Sequence, residues 1–126
     1  MISAHEALER LRAGNQRFAT NARRSDVFES HLRRAELADR QQPFAIILGC
    51  SDSRVPAEIV FDQGLGDLFV IRVAGNIVAP SGVGSVEFAA ERFGTRLVVV
   101  GAEYNLETGE VDFFDGIERA SLAGMP

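Results

Sequence analysis

The chain has 126 residues, 46% of them apolar and 25% charged, with a net charge of −5, a make-up that fits one globular domain around one core. No apolar run is long enough to cross a bilayer, and Met1–Glu6 has neither the basic region nor the apolar core of a signal peptide, so no membrane partner is expected. The single cysteine, Cys50, excludes an internal disulfide and points to a reducing, cytoplasmic setting.

The charge is unevenly spread. Residues 1–42 carry eight arginines against six acids, whereas the remainder carries five against twelve, and there is no lysine. An acidic main body argues against nucleic acid as a partner, because phosphate backbones require clustered positive charge. The Arg-rich part suits an acidic surface, the nearest being that of a second copy, or else a solvated helical face with ion pairs.

In chain order, Ser3 and Glu6 have capping-box spacing, and Ala7, Leu8 and Leu11 recur on one helical face. Gly14-Asn15 predicts the end of that helix, with Phe18 continuing the apolar face beyond a break. A second helix is expected from Ser25 or Asp26, burying Phe28, Leu32 and Ala35 and ending before Pro43. Phe44–Leu48 reads as a fully buried strand, followed by Gly49-Cys50-Ser51-Asp52-Ser53-Arg54 and a short helix over Val55–Phe61 with Pro56 in its first turn. Leu68–Val73 is a second strand ended by Ala74-Gly75-Asn76. A helix from Ser81 or Ser85 turns Val86, Ala90 and Phe93 inward and stops at Gly94. Arg96–Val100 is a third strand, running on toward Tyr104, and Asn105–Gly109 turns the chain back into Glu110–Phe114. The fold class is therefore α/β: a small, mostly parallel β-sheet with flanking helices, an N-terminal helical arm (1–42) on a sheet body (43–126), and a C-terminal antiparallel hairpin.

The chemistry gathers at the end of the first strand, where open α/β sheets place their sites. Cys50 and Asp52, beside Arg54, suit a soft metal such as zinc, held by a thiolate and a carboxylate. Two ligands do not hold zinc, and the only histidines are His5 and His31. The plainer alternative is a structural thiol next to an Asp52–Arg54 ion pair. A cysteine-phosphatase loop fits less well, since the spacing is Cys-x3-Arg with a carboxylate inside. Gly64-x-Gly66 and Gly82-x-Gly84 lack the third glycine of a dinucleotide loop and read as tight turns.

Gly49–Pro56 followed by Phe61–Asn76 resembles the β-class carbonic anhydrases. The resemblance extends back through Gly14-Asn15-Gln16-Arg17-Phe18 and forward through Gly84–Ala89 and Leu97–Val100 to Val100–Val111, which is similar to that family's C-terminal hairpin. It implies zinc on Cys50, with Asp52 either ligating or paired with Arg54, zinc-activated water converting CO2 to bicarbonate, and Gln63 binding substrate. It also implies His-x-x-Cys after the third strand, and here the chain departs from the pattern. Ala102 stands in the histidine position and Asn105 in that of the cysteine, and the intervening helices are missing. Zinc is then absent or weakly bound and hydration lost, unless His31, His5 or Glu103 completes the site. Without zinc, the Cys50–Arg54 turn is expected to hold a small anion such as bicarbonate or phosphate, or only to pin the chain in a scaffold. Loss of the later helices should uncover Val98, Val100 or Phe113, so a homodimer or larger assembly is expected.

Overall fold

A computed structural model describes residues 2–24, 31–94 and 97–122. Helix α1 spans Ala4–Ala19, and the Ser3 side chain caps it by accepting the Glu6 N–H at 3.1 Å. The helix does not stop at Gly14-Asn15. A Cβ on Gly14 would sit 1.7 Å from the Phe61 carbonyl oxygen, so this glycine permits a close crossing instead of ending the helix. Asn15 is buried beside it. Its Nδ2 donates to the carbonyls of Val60 (3.1 Å) and Gly109 (2.8 Å), and its Oδ1 accepts the Val111 N–H (2.8 Å). One amide thus ties α1 to two distant stretches of backbone that would otherwise be buried without partners.

Helix α2 covers His31–Glu36; the expected start at Ser25 or Asp26 and the burial of Phe28 lie outside the described residues. Leu32 and Ala35 do not face a core: Leu32 is 66% exposed. The segment is fastened instead by Arg33, which donates to the Leu65 carbonyl (3.1 Å) and Asp67 (3.3 Å), and by Leu37 packed over Gly66.

Strands β1 (Ala45–Cys50) and β2 (Leu68–Val73) pair in parallel, with Ala45 opposite Leu68 and Cys50 opposite Val73. Between them lies the single-turn helix α3 (Ala57–Val60), and after β2 comes a 3-10 turn, Ala74–Asn76. Helix α4 (Pro80–Phe93) begins at Pro80, whose missing N–H costs nothing in a first turn, and stops at Gly94. Gly82 and Ala89 form its buried stripe, with Val86, Ala90 and Phe93 half-buried.

Two expectations about the sheet change. β1 is half-buried along its whole length, and Leu97–Val100 joins no ladder. The backbone of Val99 and Val100 instead lies against Gly116 (φ +76°), where a Cβ would come 2.2 Å from the Val99 carbonyl oxygen. Strand formation begins later, at β3 (Gly101–Tyr104), which pairs antiparallel with β4 (Val111–Asp115) in a second two-stranded sheet, followed by α5 (Ile117–Leu122).

Leu11, Ala57, Phe61 and Leu68 form the core, with Phe44, Ile47, Val70, Val111 and Phe113 packed against it. Phe61 and Phe113 meet with ring centroids 6.2 Å apart. Each buried side chain of this size stabilises by roughly 1.5–3 kcal/mol. Because Phe113 is drawn inward, the apolar residues left in solvent are not Val98, Val100 and Phe113 but their neighbours Val99 (86% exposed) and Phe114 (62%). No helix is long and apolar enough to cross a membrane among the described residues.

Candidate functional site

β1 ends on Cys50, and the chain turns back at once, with the Val55 N–H donating to the Asp52 carbonyl at 3.1 Å. Cys50 Sγ accepts the backbone N–H of Asp52 (3.4 Å) and that of Gly75 (3.3 Å). The second contact depends on Gly75, whose φ of +70° lets the turn after β2 aim its N–H across the strand end. These donors, Asp52 N–H first and Gly75 N–H next, favour the thiolate and lower the Cys50 pKa.

Asp52 is committed on both oxygens. Oδ1 accepts the Arg54 N–H (2.8 Å) and Nε (3.0 Å), and Oδ2 accepts Nη2 (2.6 Å). The Arg54 side-chain hydrogen bonds hold this carboxyl well below the usual carboxylate range, and Asp52 in turn raises the Arg54 pKa. A residue that the sequence did not single out secures the turn from outside: Arg72 donates from Nε to the Cys50 carbonyl (2.9 Å) and from Nη2 to the Asp52 carbonyl (2.6 Å). Its signal was present as the one charge inside the apolar run of β2.

Cys50, Asp52 and Arg54 therefore come together as expected, but Gln63 does not join them. It is buried against α1, donating from Nε2 to the carbonyls of Phe61 (3.0 Å) and Arg10 (3.4 Å), and it lines a separate cavity with Arg10, Ala13, Arg17, Arg24 and Asp67. His5 and His31 are exposed, on α1 and at the start of α2. Ala102 pairs with Phe113 in the hairpin, and Glu103 with Asp112. Asn105 Oδ1 accepts the N–H groups of Glu107 (2.9 Å) and Thr108 (3.1 Å), so this side chain builds the hairpin turn. Among the described residues, no group of three or more His, Cys, Asp or Glu side chains is placed to hold one metal ion.

A zinc ion fits this donor set poorly. Cys50 offers a suitable thiolate, but Asp52 is held on both oxygens by Arg54, and a four-coordinate site has no further ligand among the described residues.

A parallel strand pair with a Cys-x-Asp-x-Arg turn at its carboxyl end, flanked by helices, places the chain among the α/β proteins. The model of the carbonic anhydrase family matches residues 45–111, and the chain belongs to that family, in its β class. It is 47% identical over 94 residues to "Carbonic anhydrase 2" of Mycobacterium tuberculosis, covering 75% of this chain and 45% of that protein. It is 46% identical over 83 residues to the carbonic anhydrase of Pseudomonas aeruginosa, covering 61% and 35% respectively. Among solved structures, a β-carbonic anhydrase of Sordaria macrospora, described as tetrameric, overlaps 71% of this chain and 43% of its own, with a TM-score of 0.49 and 29% identity. The chain spans less than half the length of these relatives.

Proposed function

We propose that this chain is a β-carbonic-anhydrase body that keeps one half of a zinc site, Cys50 and Asp52, and does not by itself hydrate CO2. The observation that carries this reading is the hairpin. Ala102 and Asn105, the positions matched to the family's histidine and cysteine, are built into β3 and its turn, where neither side chain can ligate zinc. Zinc, if bound, would supply an activated water near neutral pH. In the arrangement described, Asp52 and Arg54 neutralise each other, and the pair orients the turn.

Metal content and CO2 hydration test the reading together. The purified chain should carry well under one zinc per chain and show no hydration above background. One zinc per chain, with hydration activity lost in Cys50→Ser, would establish instead a working enzyme completed by His31 or another residue. The anion expected at the turn, bicarbonate or phosphate, competes with Asp52 for Arg54, whose Nε and Nη2 are already committed. Titration of the wild-type chain against Arg54→Ala measures what capacity remains there.

Self-association is part of the same proposal. Phe88, Ile77, Val78, Val99 and Phe114 are all more than half exposed, an apolar load that favours burial against a second copy. Sedimentation at micromolar concentration should show a dimer or larger species; a monomer would count against it.

A further inference from the structure

A cavity of about 250 Å3 lies between α1 and the loop joining α3 to β2, lined by Arg10, Ala13, Arg17, Arg24, Gln63 and Asp67. Its carboxylates are already engaged. Asp67 accepts Arg33 Nη2 on Oδ1 (3.3 Å) and the Gly64 N–H on Oδ2 (2.8 Å). Asp62, just behind the wall, is 2% exposed and accepts Arg17 Nε (2.6 Å), Arg23 Nε (3.2 Å) and the Arg24 N–H (3.1 Å).

The donors are not all engaged. Arg17 commits Nε and Nη2 to Asp62, and Arg10 commits Nη2 to Glu6, so Nη1 of each has no partner among the described residues. Gln63 is only 7% exposed. Both hydrogens of its Nε2 point to backbone carbonyls, which fixes the amide orientation, because the flipped amide would set oxygen against oxygen. Its Oε1 therefore remains an acceptor without a donor among the described residues. A site with two guanidinium edges and one open acceptor, the accessible Oε1 of an otherwise buried side chain, suits an anion that keeps a hydroxyl. Guanidinium binds oxyanions by paired, charge-assisted bonds.

We propose that this cavity binds hydrogen phosphate, with Arg10 and Arg17 on its charged oxygens and Gln63 Oε1 accepting its hydroxyl. The site is distinct from the Cys50 turn and does not depend on the zinc reading. Sulfate is the informative control, since it matches phosphate in shape but has no proton to give near neutral pH.

Calorimetric titration of the full chain near pH 7 tests the proposal. Inorganic phosphate should bind saturably, and sulfate about tenfold more weakly, the worth of one hydrogen bond at a charged group. Ala13→Glu adds a carboxylate at the cavity wall from an exposed helical position; it should abolish phosphate binding while leaving the circular dichroism spectrum and unfolding midpoint in place. Arg10→Ala should weaken binding, and Arg54→Ala should leave it unchanged. Absence of saturable phosphate binding, equal affinity for sulfate, or full binding in Ala13→Glu would overturn the proposal. So would loss of binding in Arg54→Ala, which would assign the anion to the turn.

Discussion

Asp52 and Asp62 both hold arginines, on opposite terms. Asp52 meets a guanidinium two residues away, on a side chain 66% exposed. Asp62 is 2% exposed and gathers Arg17, Arg23 and Arg24 from 38 to 45 residues away. The first pair shapes a local turn and is screened by water, so it adds little to the fold. The second joins the N-terminal arm to the sheet body, and its bonds exist only when the chain is folded. The same two residue types thus define a site in one place and hold the molecule together in the other.

Substitution should separate these roles. Asp62→Ala removes the carboxylate that three guanidiniums share and is expected to cost about 3–5 kcal/mol in urea unfolding, the usual effect of breaking a buried ionic group. Asn15→Ala, which leaves two carbonyls and one N–H short of partners, should cost about 2–4 kcal/mol. Gly14→Ala drives a methyl into the Phe61 carbonyl, and about 1–3 kcal/mol is expected as α1 is pushed away.

Acid should weaken the fold through Asp62. Burial alone would raise its pKa, but the Arg17 hydrogen bond and the Arg24 N–H outweigh burial and hold it below the ordinary value. A carboxyl with a lower pKa folded than unfolded contributes stability above the unfolded value, roughly 4, and loses it as pH falls through the folded one. The urea midpoint should therefore drop below about pH 4, and Asp62→Asn should flatten that drop. Arg54→Ala sits at the other end of the scale and should leave the midpoint where it is at neutral pH. A large loss of stability in Arg54→Ala would erase the contrast between the two aspartates.

Much of this was legible in the residues. The cap at Ser3, both parallel strands, the turn carrying Cys50 and the stop at Gly94 follow from local signals, and the long run from Gly49 to Asn76 carries the family. What escaped depends on distant partners. Gly14-Asn15 has the chemistry of a helix stop, and only the approach of Phe61 and Gly109 makes it a crossing. Asp62 looks like any loop acid until arginines from the arm arrive. Leu97–Val100 has strand composition, but its backbone packs against Gly116 in place of a ladder. Pro80 carries a first-turn signal of its own, and α4 starts there, ahead of Ser81 and Ser85.

Asn15 also sets a timetable. Two of its three bonds go to Gly109 and Val111, 94 and 96 residues further along the chain. Contacts of such separation form slowly, because a long loop must close before they contribute. Until the hairpin closes onto α1, the Asn15 amide has only the Val60 carbonyl to bond, and the folding chain passes through states open to misfolding.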